Sequence, residues 1–414
     1  MSSETVETLV IGGGQAGIAT SEHLTRHGLS HLVVERARIA ERWRAERWDS
    51  LVANGPAWHD RFPNQTFDQT GPDGFPGKEE VAAYLERYAG AIGAPIRTGI
   101  AIARLSRRAD GQFVAETNGG DTIVATNVVV ATGPFQNPVI PPLIPAEAGL
   151  TQIHSANYKN PAQLPEGGVL VIGAGSSGVQ IADELNRAGK PTWLAVGPHN
   201  RPPRRYRGRD FVWWLGVLGK WDQPPEQTNG PHVTIAVSGA HGGHTVDFRD
   251  LANAGVTLVG RATGYADGKV RFSPDLKDII AAGDADYLAT LRESDAYIAR
   301  EGLDLPEEPE AWHIGPDPEC VTHPLTELDL KAAGITSVVW ATGYAFDYGW
   351  LDIDVLGPDG GPKHVRGVSD VPGLHFVGLP GLWRRASAFI WGVWHDASYL
   401  ADHIAARKAS RDAA

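Results

Sequence analysis

The sequence predicts an α/β protein built from two dinucleotide-binding units, the second inserted into the first. A strand, a glycine-rich turn and a helix-like pattern follow one another twice, at residues 8–24 (TLVIGGGQAGIATSEHL) and 169–185 (VLVIGAGSSGVQIADEL). Each unit has its own later strand running into Ala-Thr-Gly, at residues 128–133 and 338–343. The chain closes on a strand (373–378) and an apolar helix (388–405), which would return to complete the first unit.

The elements follow in order. Residues 8–11 read as a buried parallel-type strand, 12–17 as the turn and 18–26 as a helix. The next strand, 31–35, carries Glu35 at its end, and a helix over 79–89 places Val81, Leu85 and Tyr88 on one face. Strand patterns follow at 100–105, 112–116 and 127–131. Residues 134–145 are proline-rich and read as a linker. After the second strand–turn–helix come a strand at 192–196, an irregular insertion at 198–250 rich in Arg, Trp and Pro, and a strand at 256–260. These patterns set expected boundaries of 1–145 for the first unit, 146–332 for the inserted one and 333–414 for the return.

Composition narrows the function. The 414 residues, 42% hydrophobic and 21% charged, are those of an ordinary globular chain with room for two or three domains. A net charge of −12 argues against nucleic acid or an anionic membrane as partner. Cys320 is the only cysteine, so an intrachain disulfide and a cysteine-rich metal or iron–sulfur site are excluded, and no metal site is expected. No apolar run approaches the ~20 residues of a membrane helix, and a strand pattern begins almost at once, so a cytoplasmic location is expected.

The glycines carry chemistry in context. Gly12, Gly14 and Gly17, with Gln15 and Ala16 between them, sit where a strand meets a helix, and Glu35 lies roughly 20 residues on, where a ribose-binding acid belongs. Such a turn lets the backbone approach a pyrophosphate that faces the helix N-terminus. The second turn, with Gly173, Gly175 and Gly178, differs: no acid ends its second strand, and Arg201, Arg204, Arg205 and Arg207 follow. A carboxylate there would repel a 2′-phosphate whereas arginines would bind it. Two Rossmann-like sites of different ribose chemistry predict FAD in the first and NADPH in the second, the NADPH domain being inserted into the FAD domain. One cysteine rules out a dithiol relay, leaving a quinone, a small redox protein or O2 to take the electrons.

Beyond the glycine turns stand Glu41-Arg42-Trp43, Arg-Trp-Asp-Ser-Leu at 47–51, His-Ser-Ala-Asn-Tyr-Lys at 154–159, Pro-Arg-Arg-Tyr-Arg-Gly-Arg at 203–209, Ala-Thr-Gly-Tyr at 341–344 and the 378–396 stretch. With these the chain resembles the class B flavin-dependent monooxygenases, the superfamily of flavin-containing, N-hydroxylating and Baeyer–Villiger enzymes. It looks closest to a bacterial branch often labelled putative flavoprotein involved in potassium transport, a role these residues do not support. The fingerprint of the superfamily is matched at His154 and Tyr158, while Ala148 and Leu150 stand where Phe and Gly belong.

The resemblance implies a catalytic Asn54 near the reactive C4a edge of the flavin. It implies cofactor contacts at Arg36, Arg42, Trp43, Ile102, Thr132, Gly133, Gly378 and Leu379. For the second nucleotide it implies contacts at Ser176, Ser177, Gln180, Thr342 and Gly343. His154 looks like a hinge residue, and Trp213, Trp214, Trp383, Trp391 and Trp394 are candidates for an aromatic pocket or for core. The His395-Asp396 pair lacks a serine elbow and reads as helix surface or flavin support. The implied activity is NADPH-dependent formation of a flavin C4a-(hydro)peroxide that passes one oxygen of O2 to a small organic substrate, at an amine nitrogen or a sulfur. Baeyer–Villiger oxidation of a ketone and electron transfer to a quinone or small redox protein are the alternatives. The oligomeric state stays open, a homodimer included.

Overall fold

The computed structural model describes residues 2–224 and 234–413. β1 (Ser3–Ile11), α1 (Gln15–Arg26) and β2 (His31–Glu35) open the chain, followed by α2 (Glu41–Ala45) and α3 (Lys78–Ala91). β3 (Ile96–Thr98), β4 (Ile102–Arg107), β5 (Phe113–Thr117) and β6 (Thr122–Val130) complete this segment. β1 is buried on both faces, which explains its near-continuous apolar run. Val10 packs in the core that holds Ile18, Val81 and Leu85, and Leu9 and Ile11 in the core that holds Leu105 and Phe113.

The linker carries β7 (Asn137–Pro138) into the second unit: β8 (Thr151–His154), β9 (Gly168–Ile172), α4 (Ser176–Arg187) and β10 (Thr192–Ala195). The insertion is built of short pieces where it is described. β11 (His199–Asn200) pairs with β14 (Thr234–Ile235), and β12 (Arg205–Tyr206) with β13 (Arg209–Asp210); α5 (Phe211–Val217) and α6 (Phe248–Asn253) flank them. Residues 225–233 of this expected insertion lie outside the described residues.

Next come β15 (Thr257–Val259), β16 (Ala262–Ala266), β17 (Lys269–Phe272), α7 (Leu276–Glu301), α8 (Glu319–Thr322), β18 (Glu327–Asp329) and β19 (Ile335–Trp340). The second sheet has the order β15-β10-β9-β19-β8, parallel throughout, with an antiparallel β16-β17-β18 meander beside it. The sequence pattern does not announce the 26-residue α7, because Gly283, Thr290 and Ser294 occupy buried positions and dilute its apolar period.

After β20 (Tyr344–Ala345), β21 (Leu351–Asp352), β22 (Leu374–Phe376) and α9 (Ile390–Asp412) return to the first unit. β6 is shared there: Phe113 of β5 pairs with Ala125 antiparallel, and Leu374 of β22 pairs with Val128 parallel. The expected boundary at residue 333 is corrected by β19, which aligns Trp340 with both His154 and Ile172. Residues 335–340 therefore belong to the second sheet, and the return begins after β20. Among the described residues no helix is long and apolar enough to cross a membrane.

Candidate functional site

The first glycine turn is fixed by close packing. Gly12 has φ +117°, and a Cβ there would lie 2.5 Å from the Ala131 carbonyl oxygen. A Cβ on Gly17 would fall 1.9 Å from the Gly12 oxygen, so α1 and the turn meet backbone to backbone. Gly14 is different. Its φ of −87° suits any residue, and a Cβ would meet no protein atom within 4 Å. Protein packing does not require glycine there, and the space beside the α1 N-terminus is open for a ligand to approach closely. The cradle thus fits a dinucleotide pyrophosphate.

Glu35 accepts from the Gly13 N–H (2.7 Å) and the Ala37 N–H (3.0 Å), tying the turn to the end of β2. Ile102 lies two residues beyond Ile100, whose N–H donates to the Glu35 carbonyl (2.9 Å). Gln15 donates from Nε2 to the Ala388 carbonyl (2.8 Å), and a Cβ on Gly378 would lie 2.7 Å from that of Ala16, so the return closes over α1 with Leu379 buried. Thr132 Oγ1 and the Gly133 carbonyl both accept from the Gln136 amide (3.1 and 2.7 Å). On α2, Arg42 pairs with Glu46 (2.7 Å) and Trp43 packs on the first core, while Arg36 is exposed.

The second turn repeats the geometry. Gly173 has φ +106° and a Cβ there would lie 2.4 Å from the Ala341 oxygen; one on Gly178 would lie 1.8 Å from the Gly173 oxygen. Gly175 caps α4 in extended backbone, and Ser177 is the second residue of α4. Ser176 Oγ donates to the Ile235 carbonyl (2.9 Å), and Thr342 Oγ1 donates to the Val139 carbonyl (2.5 Å) beside Gly343.

Two expected phosphate ligands are corrected here. Arg201 is 2% exposed and hydrogen-bonds Asp284 (Nε–Oδ1 2.9 Å), with Asp247 at 3.3 Å. Burial alone would raise the Asp284 carboxyl, but hydrogen bonds from Arg249 and Arg201 hold it below the usual carboxylate range. Arg204 is 3% exposed, bonds both Asp210 oxygens (2.5 and 3.0 Å), and burial lowers its pKa. Neither guanidinium is open to a phosphate, because carboxylates, Asp284 from 83 residues away and Asp210 from six, already neutralise them. Arg205 alone of the four is exposed, its guanidinium 3.5 Å from the Gly242 carbonyl, while Arg207 pairs with Asp295 (2.7 Å).

Asn54 stands where the two units meet. Its Oδ1 accepts from Gln180 Nε2 (2.9 Å), and its carbonyl accepts from Arg204 Nη1 (2.6 Å). Gln180, expected to touch the nucleotide, gives its amide hydrogens to Asn54 and to the Val237 carbonyl (2.8 Å). After Asn54 the loop is clamped by Asp60, which accepts from the Gly55 N–H (3.1 Å) and from His59 Nδ1 (2.7 Å). A Cβ on Gly55 would lie 2.5 Å from Asp60 Oδ1. His59 sits among Trp58, Trp221 and Trp391, with ring centroids 5.3 to 5.5 Å away. Asp60, His59 and Trp58 escape sequence reasoning, since no periodic pattern marks this loop and the Gly55-Pro56 turn is its only signal; Trp221 joins them from the insertion.

Of the five candidate tryptophans only Trp391 joins this cluster. Trp213 and Trp214 pack with Tyr297, Trp394 donates to Glu22 (2.7 Å), and Trp383 is exposed. His395 is exposed and Asp396 is 1% exposed, so these helix neighbours point apart; burial raises the Asp396 carboxyl.

The two linkers run side by side. β7 pairs antiparallel with β20, and the His154 ring bridges them to β8: Nδ1 accepts from the Ala156 N–H (3.1 Å), so Nε2 donates to the Gly343 carbonyl (3.0 Å). Burial lowers the pKa of His154, and both ring nitrogens are committed to backbone. Tyr158 donates to Glu184 (2.7 Å), and burial with that carboxylate pushes its pKa up. Arg47, in the motif beside Trp43, stacks on Phe135 (4.9 Å), and burial lowers its pKa.

The comparisons with known proteins accord with this geometry. The pyridine nucleotide-disulphide oxidoreductase family matches residues 9–205, a span that contains no cysteine. A protein described as an uncharacterized oxidoreductase, CzcO-like, from Geobacillus kaustophilus is 34% identical over 96% of this chain and 98% of its own. The indole-3-pyruvate monooxygenase YUCCA1 of Oryza sativa is 30% identical over 51% of this chain and 53% of its own. Among solved structures, the flavin-containing monooxygenase from Stenotrophomonas maltophilia superposes with a TM-score of 0.67 at 21% identity, over 98% of this chain and 99% of that one.

Proposed function

The chain belongs to the class B flavin-dependent monooxygenase superfamily, as an oxidoreductase with FAD and NADPH as cofactors, and from that premise we propose that it oxygenates a small organic substrate at an amine nitrogen or a sulfur. In balance, substrate, O2, NADPH and a proton give oxygenated substrate, NADP+ and water. When bound, FAD supplies the oxygen-activating chemistry and NADPH the hydride.

The protein's part is to hold and to exclude. The Gly12–Gly17 backbone and the α1 N-terminus would hold the FAD pyrophosphate, and Glu35 its ribose. Gly173, Gly175 and the α4 N-terminus would hold that of NADPH. The observation that carries the reading is Asn54: one amide, on the first unit, gripped by the helix of the second cradle. A neutral amide can hydrogen-bond reacting groups without itself titrating, so oxygen chemistry needs no acid–base dyad there. The Trp58, Trp221 and Trp391 rings pack around His59, in the loop that follows Asn54, and would keep water from that side. The single cysteine leaves no protein dithiol to take electrons, despite the description of the matching family.

The test is a panel of amines, sulfides and ketones turned over under 18O2. One labelled oxygen atom per NADPH in an amine or sulfide product is the expected result. NADPH oxidised with full recovery of electrons in a quinone, and no label in any product, would overturn it.

A further inference from the structure

We propose that Gln180 is a positioning residue that orients the Asn54 amide and so couples the second cradle to the reacting centre; this rests on the role given above to Asn54. The argument is one of hydrogen-bond polarity. The Val237 backbone oxygen can only accept, so the group 2.8 Å from it on Gln180 must be the NH2. The other hydrogen of that NH2 points to Asn54, 2.9 Å away, which must therefore present its oxygen. The reverse placement would set two NH2 groups against each other. With Oδ1 committed, Asn54 is left with its Nδ2 hydrogens facing away from Gln180. Nδ2 has no protein partner among the described residues.

Asn54 is thereby fixed as a hydrogen-bond donor, and a backbone carbonyl in the insertion decides it. Gln180 is 9% exposed, so water competes little for these bonds. It lies on α4, whose N-terminus is the second cradle, and Ser176, at the start of that helix, is tied through Ile235 to the same segment of the insertion, two residues before Val237. Any shift of α4 on nucleotide binding moves the group that holds Asn54. At the matching position of the first unit stands Ala19, which has no such reach.

Two variants of the full-length, FAD-loaded protein test the chain of polarity. Gln180→Leu frees the Asn54 amide to turn. Gln180→Glu keeps the size but offers only acceptors, and so demands the reverse face of Asn54. The reaction followed is the substrate-free one, NADPH + O2 + H+ giving NADP+ and hydrogen peroxide. We expect peroxide release to rise about tenfold in Gln180→Glu and less in Gln180→Leu, with the KM for NADPH unchanged. In protein labelled with 15N-asparagine, the Asn54 side-chain resonances, assigned by their loss in Asn54→Ala, should shift in Gln180→Glu and broaden in Gln180→Leu. A purely structural role would instead make the two variants track melting temperature. Wild-type peroxide release and resonances in both Gln180 variants, with faster release in Asn54→Ala, would overturn the role of Gln180. Unchanged release in Asn54→Ala would overturn the reading of Asn54 on which it rests.

Discussion

In the first cradle Gly12 turns at φ +117° under the Ala131 carbonyl; in the second Gly173 turns at φ +106° under that of Ala341. The helices that follow meet these turns at the same contacts, since a Cβ on Gly17 or Gly178 would strike the oxygen of Gly12 or Gly173 at 1.9 or 1.8 Å. The differences lie around that shared backbone. Glu35 ends β2 and grips Gly13, whereas the position after Ala195 on β10 is the buried Val196. A Cβ on Gly13 would lie 2.8 Å from that of Glu35, and Ala174 stands at the matching place in the second turn. The first residue of each helix also reaches a different segment: Gln15 holds the return at Ala388, Ser176 the insertion at Ile235. Backbone geometry sets the class of ligand, and the side chains just outside it set which ligand and what it is connected to.

Exchanging alanine for glycine breaks this comparison most severely. Gly17→Ala has no room for its methyl and should abolish FAD retention, read as flavin absorbance per purified protein. Gly178→Ala should leave the protein yellow while weakening NADP+ binding by roughly a hundredfold or more, about 3 kcal/mol by titration. Equal loss of flavin in both would mean that the two cradles do not act separately.

Next in size is Arg201→Ala. It leaves Asp284 short of one buried partner, so a loss of about 3 to 5 kcal/mol in unfolding free energy is expected, with little change in the preference for NADPH over NADH. A large change in that preference with a normal denaturation curve would restore Arg201 as a phosphate ligand. The smallest effect sharpens the comparison: Glu35→Gln should weaken FAD binding by about tenfold and leave the KM for NADPH unchanged, by equilibrium dialysis and initial rates.

The cradles were legible because their requirement is local: a left-handed Gly12 and a backbone-to-backbone Gly17 are written in six consecutive residues. The second ribose site was not, since the fate of Arg201 is decided by Asp284, 83 positions away. The same holds for residues 335–340, whose sheet is settled by pairing with β8 and β9 and not by their own pattern. Asn54 was located through a family resemblance, but its partner Gln180 lies 126 residues off and no local period announces it.

The pairing of β7 with β20 bears on how such a chain can fold at all. Tyr344 aligns with Pro138 and Ala345 with Asn137, and the Val139 N–H donates to the Gly343 carbonyl (3.0 Å). The inserted unit thus leaves and re-enters its host at neighbouring points. For the host, some two hundred intervening residues amount to one closed loop whose ends already touch, and the entropy of closing a loop grows only with the logarithm of its length. Once the guest has folded with its ends together, β22 and α9 face the short-range closure they would face if no guest were there. That is the arrangement in which one domain can be carried inside another without separating the host from its own last strand and helix.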